Sequence, residues 1–341
     1  MMRALALLAI LAGAGGAPAP RDDLRLDQIQ LIGSHNSYRP YPSPQLRARL
    51  AASPEWPGLA YGHPPLEAQL ALGLRQLELD VAPDPAGGAY AAPYGNADAT
   101  TRRSMAAPGA KVLHIAGIDT ETHCLTLRLC LATLRHWSDR HPGHGPVMVL
   151  INTGDAGGAR FDATNLAALD ADILAEIGRE RLVTPDDVRG TLPTLRAAVV
   201  AHRWPSLARA AGRFLFVLDG GNAHEEAYRA GHPSLRGRAM FGFYPEEEAE
   251  AAVFNIQDPV PESGRIRRLV RAGFLVRTRA DMGLKEARAA DRRRLDTAIA
   301  SGAQWISSDL YEGASNPERL VYRAALPGGA LVRCNPVTAR C

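Results

Sequence analysis

IGSHNSY at residues 32–38 and RQLELDV at residues 75–81 are the two stretches that decide the fold of this 341-residue chain. The first follows an apolar run and becomes polar at its carboxyl side, whereas the second alternates as a β-strand does. Glu78 and Asp80 share one face of that strand, because side chains two residues apart point the same way. Two carboxylates within reach of His35 and Asn36 would pack poorly, but they suit a divalent cation beside a general base.

Apolar, β-rich runs recur along the chain, and segments with helical spacing separate them. Eight strands that alternate with helices favour a single (β/α)8 TIM-type barrel of the α/β class. The barrel could be irregular, because a further strand is predicted near residues 239–244 and long Pro-rich segments separate the early strands. The predicted strands cover residues 30–33, 76–81, 111–114, 147–152, 214–219, 252–255, 274–278 and 304–308.

Polar or ionisable side chains stand at the ends of these predicted strands. Active sites of TIM barrels lie at the carboxyl ends of the strands, so we expect the side chains to share one rim. Each of them taken alone is more often a turn, a cap or part of a solvated face. Their convergence favours a catalytic site, which would contain His35, Asn36, Glu78, Asp80, His114, Asn152, Asp219, Asn255, Arg277, Arg279, Ser308 and Asp309.

The composition indicates a globular, exported protein. Apolar residues make up 46% of the chain, and 39 basic against 36 acidic residues leave a net charge of +3, too balanced to indicate a nucleic-acid partner. The first 19 residues have the short basic, apolar and small-residue regions of a signal peptide. We therefore expect one catalytic domain over residues 20–341, secreted or periplasmic and monomeric.

Four cysteines agree with export. Cys124 and Cys130 are close in sequence, as are Cys334 and Cys341, so two local disulfides are the simplest of three pairings. A zinc site is the competing interpretation, but the spacings are not CxxC and no histidine cluster accompanies them.

Four segments together resemble the superfamily of phosphatidylinositol-specific phospholipases C and glycerophosphodiester phosphodiesterases, and most closely its secreted bacterial branch with calcium dependence. Their order and spacing over about residues 28–310 carry the resemblance. They read IGSHNSY, PPLEAQLALGLRQLELDV, KVLHIAGIDTETHCLTLRLCLATLRHWSDRHPGHGPVMVLI and GFLVRTRADMGLKEARAADRRRLDTAIASGAQWISSDL.

The resemblance implies a TIM-type barrel that holds a general base, a general acid and a Ca²⁺ ion. His35 and His114 match the two histidines of the family, and His35 is the expected base. The eukaryotic relatives have a Glu at the end of the fourth strand, where this chain has Asn152, and nearby Asp155 could compensate for the missing charge. The implied metal ligands are Asn36, Glu78, Asp80 and Asn152.

Arg277 and Arg279 share a strand face and could bind the phosphate or the inositol hydroxyls. Pairing with Asp281 and Asp309 for structure is the equal alternative. The expected substrate is a phosphoinositide or a related phosphodiester, with transient contact to a membrane surface. A glycerophosphodiester phosphodiesterase is the alternative enzyme. Sequences of that branch resemble His-Arg-Gly after the first strand, however, and this chain does not. A non-catalytic phospholipid or sugar-phosphate binder is the alternative outside enzymes.

Overall fold

The computed structural model describes residues 22–339. The strands are β1 (Ile29–Ser34), β2 (Gln76–Ala82), β3 (Lys111–Val112), β4 (Val147–Thr153), β5 (Phe214–Asp219), β6 (Met240–Gly242), β7 (Val253–Asn255), β8 (Leu275–Arg279), β9 (Trp305–Ser308) and β10 (Val332–Cys334). The α-helices are α1 (Pro44–Leu50), α2 (Trp56–Leu59), α3 (Leu66–Leu72), α4 (Ala99–Ala106), α5 (Leu127–Arg140), α6 (Ala163–Ile177), α7 (Pro185–Arg189), α8 (Leu195–Val200), α9 (Leu207–Ala210), α10 (Gly221–Arg229), α11 (Pro259–Arg271), α12 (Lys285–Arg288) and α13 (Arg293–Ser301). Short 3-10 helices cover Leu26–Gln28, Ala92–Tyr94, Arg179–Arg181, Pro233–Leu235 and Pro327–Gly329.

The strands form two five-stranded sheets, in the orders β10-β1-β9-β8-β7 and β3-β2-β4-β5-β6. Eight of these strands are parallel, and β3 and β10 are antiparallel additions at the sheet edges. A parallel bridge between Phe243 and Val253 continues β6 into β7. At the other seam, in the described part of the chain, Ser37 joins β1 to β2 by donating its N–H to the Glu78 carbonyl rather than through a strand ladder. The fold is thus the expected TIM-type barrel, with an irregular seam.

One expected barrel strand is replaced by another. Residues 111–114 were expected to provide the third strand, but β3 is short and pairs antiparallel with the carboxyl end of β2. The chain leaves β2 and returns at the same end of the barrel, where Lys111 forms a buried ion pair with Asp84 at 2.8 Å. Strand β6, within residues 239–244, takes the vacant place in the barrel by pairing parallel to β5.

Local sequence accounts for the central elements. Strands β4 and β5 are almost wholly buried, as is usual for parallel strands covered on both faces. Helix α5 begins at the Thr126 cap, whose hydroxyl accepts from the Leu129 N–H, and it buries Leu127, Leu131 and Leu134 at helical spacing. The amphipathic helices thereby cover a barrel that presents its strand ends to one rim.

The predicted disulfide between Cys124 and Cys130 is confirmed, with the Cα atoms 5.2 Å apart. It joins the loop after His114 to α5. The other predicted pair needs Cys341, which lies outside the described residues, as does the predicted signal peptide at residues 1–19. No helix within residues 22–339 is long and apolar enough to cross a bilayer.

Candidate active site

The turn after β1 places His35 and Asn36 at the rim. Asn36 has a φ of 50°, in the left-handed region that Asn tolerates better than most residues. Directly after it, Ser37 holds β2 from both sides: its N–H donates to the Glu78 carbonyl, and its hydroxyl accepts from the Glu78 N–H at 2.8 Å. The turn and the predicted acidic strand are therefore fixed against each other.

His35 belongs to a buried chain of charges. Its Nδ1 lies 2.7 Å from Asp309 Oδ1, and Asp309 Oδ2 accepts from Arg279 Nη2 at 2.8 Å. Burial, and then Arg279, lower the pKa of His35. For Asp309 burial acts upward, but Arg279 and His35 outweigh it and hold the pKa below its usual range. The expected tautomer carries its proton on Nδ1 and leaves the Nε2 lone pair free.

His114 has a matching arrangement that sequence reasoning missed. Its Nδ1 lies 2.9 Å from Asp119 Oδ2, which also accepts from Arg39 Nε at 2.6 Å. Burial acts to raise the pKa of Asp119, but the bond from His114 and the charge of Arg39 keep it lowered. The available signal was an Asp five residues after the histidine. Arg39, which is fully buried, has no comparable local signal.

Asp80 lies at the centre of the acidic cluster. Its oxygens accept from the Tyr38 hydroxyl at 3.0 Å and from Asn152 Nδ2 at 3.1 Å. Burial, and then the neighbouring charge of Glu78, raise the pKa of Asp80 above its ordinary value. The structure thus brings Asn36, Asp80 and Asn152 together. A raised pKa is the behaviour expected of a carboxylate whose charge needs a cation.

Glu78 is the second carboxylate and is only partly free. Its Oε2 accepts from Arg277 Nη2 at 2.7 Å, in an ion pair with both side chains buried, while Oε1 lies 3.8 Å from His35 Nε2. Arg277 also donates to Ser307, Asn255 and Gln257. One carboxylate oxygen of Glu78 thereby stays available at the rim.

The two arginines are consequently engaged with protein groups. Arg279 pairs with Asp309, in agreement with the alternative that the arginines form structural ion pairs. The partner of Arg277 is Glu78 rather than Asp281. Asp281 instead accepts from the Asp309 N–H at 2.8 Å and from the Ser308 hydroxyl. Contact of the arginines with the substrate stays a prediction.

The oxygens around Asp80 suit a hard cation. When Asn36 Nδ2 donates to the Tyr61 hydroxyl at 2.8 Å, Asn36 Oδ1 faces both Asp80 oxygens at 3.1 and 3.2 Å. Three oxygens in such contact repel one another unless a cation binds among them. Reversing the amide would pair them without a cation. Oxygen-only ligands suit Ca²⁺, and that Asn36, Glu78, Asp80 and Asn152 would hold it stays a prediction.

The metal site lacks a dense cluster of acids. Within residues 22–339, no three His, Cys, Asp or Glu side chains are grouped so that they could hold a metal ion. The predicted set contains two such side chains, and its other members are amides. Asp155, the proposed compensation for Asn152, is instead bound to His224 Nε2 at 3.0 Å and to the Phe161 N–H at 2.9 Å.

Further histidines have buried or ring contacts. His63 lies in a loop but is buried, and its Nε2 lies 2.7 Å from the His35 carbonyl. His123 contacts the His63 carbonyl through Nε2 at 2.8 Å. His141 and His144 instead pack on Trp137 of α5.

Comparisons with known proteins concern the whole chain and its fold. The family model described as "Phosphoinositide phospholipase C, Ca2+-dependent" matches residues 24–336. A calcium-dependent phosphoinositol-specific phospholipase C from a Pseudomonas species, in its myo-inositol complex, has a TM-score of 0.60 and 16% identity over 92% of this chain and 96% of that one. The Ca²⁺-dependent phosphatidylinositol-specific phospholipase C of Streptomyces antibioticus has a TM-score of 0.58 and 20% identity over 84% and 95%. These two likenesses establish the fold. No curated protein sequence matches the chain significantly.

Proposed function

Because this chain belongs to the family of Ca²⁺-dependent phosphoinositide phospholipases C, we propose that it cleaves phosphatidylinositol-type lipids with His35 and His114 as base and acid. The inositol 2-hydroxyl attacks the adjacent phosphorus, and the bond from phosphorus to the glycerol oxygen breaks. The products are an inositol cyclic phosphate and diacylglycerol. The observation that carries the proposal is the pair of His–Asp–Arg chains beside one acidic cluster.

His35 takes the proton of the 2-hydroxyl. Its Nδ1 is held by Asp309, so Nε2 is the free acceptor, and the lowered pKa keeps the ring neutral before the reaction. Asp309 then stabilises the imidazolium that forms, as the carboxylate of a Ser-His-Asp triad does. The free Nε2 lone pair and the lowered pKa of His35 support the role of base.

His114 gives a proton to the leaving glycerol oxygen. Asp119 accepts from Nδ1 and orients the ring, while Arg39 holds Asp119 in place. Nε2 of His114 lies 3.2 Å from the Asn36 amide, and this distance supports an acid close to the proposed metal ligands. General acid–base catalysis by groups of this kind contributes about 10²- to 10⁴-fold to the rate.

Bound Ca²⁺ would stabilise the negative charge that gathers on the phosphoryl oxygens. Asn36, Asp80 and the free oxygen of Glu78 would hold the ion that faces that charge. Asn152 supplies no charge of its own where the eukaryotic relatives have Glu. We also propose that the protein is exported and touches a membrane surface transiently, with support from the signal-like residues 1–19 and the disulfide.

The test is turnover of phosphatidylinositol and of glycerophosphoinositol, with and without a chelator, and with phosphorus NMR to identify the cyclic product. His35→Ala should lose nearly all activity on every substrate. His114→Ala should lose much less on a substrate with an activated leaving group, because that group leaves without an acid. His136→Ala, at an exposed position on α5, is the control and should match wild type.

Two outcomes would contradict the proposal. If both variants kept wild-type turnover of phosphatidylinositol, the histidines would have no part in the chemistry. If only glycerophosphoinositol were cleaved, the protein would be a glycerophosphodiester phosphodiesterase.

A further inference from the structure

His63 is a buried histidine that the proposed chemistry does not use. It ends the insertion between β1 and α3, and its side chain lies behind the turn that carries His35 and Asn36. Its backbone N–H donates to the Arg39 carbonyl at 2.9 Å, and its Nε2 lies 2.7 Å from the His35 carbonyl oxygen. The residue is 2% exposed. A polar ring so placed carries a desolvation cost that needs a reason.

The hydrogen bond defines the tautomer of His63. A carbonyl oxygen only accepts, so Nε2 must carry the proton and donate it to His35. Nδ1 is buried and has no hydrogen-bond partner within the described residues. Burial lowers the pKa of His63 to about 3, so the ring stays neutral over the working range of pH. His63 is therefore a permanent donor to the backbone and does not serve as a proton carrier.

The ring is held in this orientation from two sides. It stacks on Tyr311 with a centroid separation of 5.4 Å and an interplanar angle of 7°. Its backbone carbonyl accepts from His123 Nε2 at 2.8 Å. Asp309 and Tyr311 both follow β9 closely, so one short stretch supports the His35 side chain directly and the His35 carbonyl through His63.

We infer that His63 is a positioning residue that holds the His35–Asn36 turn, and through it the base and the first Ca²⁺ ligand, in the geometry that cleavage needs. The turn needs this support because the φ of 50° at Asn36 lies in a region that costs free energy. Contacts with the surrounding structure must compensate for that cost. The donated hydrogen bond fixes the peptide at the start of that turn. The inference rests on the proposed function.

The test compares His63→Gln with His63→Asn. The longer Gln amide can place an N–H near the position of Nε2, whereas the Asn amide reaches only as far as Nδ1. Calorimetric titration of the free protein with Ca²⁺ measures the metal site without turnover, and kcat and KM for phosphatidylinositol are measured separately. Changes in residues that orient metal ligands usually cost about 10- to 100-fold in affinity or activity. We expect that loss of Ca²⁺ affinity and of kcat for His63→Asn, and values within about threefold of wild type for His63→Gln.

His144→Gln and His144→Asn form the matched control pair. His144 is also buried, and its ring nitrogens contact Ser138 at 2.9 Å and the Gly145 carbonyl at 2.8 Å, away from the rim residues. Both changes should alter thermal stability without altering Ca²⁺ affinity. A loss of Ca²⁺ affinity in the His144 variants equal to that in His63→Asn would show a general effect of stability and overturn the inference.

Further outcomes separate the inference from the function on which it rests. Wild-type Ca²⁺ affinity in folded His63→Asn, or equal losses in His63→Gln and His63→Asn, would overturn the role of the hydrogen bond. The proposed function would be unaffected as long as the wild-type protein cleaved phosphatidylinositol. A wild-type protein that neither bound Ca²⁺ nor cleaved phosphatidylinositol would overturn the proposed function first, and this inference with it.

Discussion

Replacing Asp309 by Asn removes the negative charge that supports the proposed base, His35, and leaves the shape of the side chain almost unchanged. Asp309 is fully buried and accepts from His35 Nδ1, from Arg279 Nη2 and from the Gly283 N–H at 3.1 Å. An Asn has one acceptor oxygen, so its NH2 group must face either the imidazole or the guanidinium. Each of these is a donor in the native arrangement, and at least one hydrogen bond becomes a repulsion.

The magnitudes follow from the burial of both partners. Arg279 is 6% exposed, and loss of its carboxylate leaves an uncompensated buried charge, which costs about 3–5 kcal/mol. For a domain of this size that loss lowers Tm by roughly 10 °C. The rate should fall by about 10²- to 10⁴-fold, the usual contribution of a general base, because the tautomer of His35 is no longer fixed.

The dependence on pH has a definite sign. The folded protein holds the pKa of Asp309 below its unfolded value of about 3.9, so this stabilisation is fully present above that pH. It is lost as pH falls through the folded-state pKa. The difference in free energy of unfolding between wild type and Asp309→Asn should therefore be constant from about pH 5 to 7 and close below about pH 4.

Asp281→Asn is the matched control for these measurements. Asp281 is equally buried, and burial followed by the charge of Asp309 raises its pKa, so a neutral amide resembles its protonated form. Urea unfolding measures stability, and turnover of phosphatidylinositol at saturating Ca²⁺ measures the rate. Wild-type activity in Asp309→Asn, or an equal loss in Asp281→Asn, would refute the assignment of Asp309 to His35.

Three further predictions concern metal affinity, stability against pH and the disulfide. Asn152→Glu should lower the Ca²⁺ concentration for half-maximal activity by about tenfold, because a charged ligand replaces a neutral one; an unchanged Ca²⁺ response would exclude this position from the site. Burial, and then Asp219, raise the pKa of Glu225 to about 8, so its folded state keeps a proton that the unfolded state releases above about pH 4. Glu225→Gln should thus unfold with a higher free energy than wild type at about pH 8 and approach it at about pH 4, and parallel stability curves would contradict this. Replacing Cys124 and Cys130 together by Ser opens a loop with a sequence separation of 6 and should lower the free energy of unfolding in urea by about 2 kcal/mol. An unchanged free energy of unfolding would indicate that the two thiols are free in the native protein.

Local sequence was sufficient for the barrel and for half of the candidate site. Burial on both faces makes β4 and β5 continuous apolar runs, and an abrupt change to polar residues marks where a strand reaches the rim. Both signals lie within a few neighbouring residues, which is why local order alone places Glu78 and Asp80 on one face. The same signals failed for β3, since an antiparallel return and a barrel strand look alike over such a short segment.

Tertiary structure alone decided which charges meet. His35 and Asp309 are 274 residues apart, and Glu78 and Arg277 are 199 apart, so no periodicity could connect them. The sequence supplied the right residue types, and it offered substrate binding and ion pairing for Arg277 as equal alternatives. Burial requires an ion pair, because a desolvated charge must pair with the carboxylate that the barrel brings within reach.

The position of His63 shows the same limit at a single residue. Its sequence neighbourhood is that of a Pro-rich loop, and no local pattern there indicates a buried ring. Only the packing of that loop against β1 and Tyr311 buries the ring and turns it towards the His35 carbonyl. Sequence determined the chemical groups and the strand ends that carry them, because those depend on local order; the fold determined their partners, because those depend on which distant segments exclude water together.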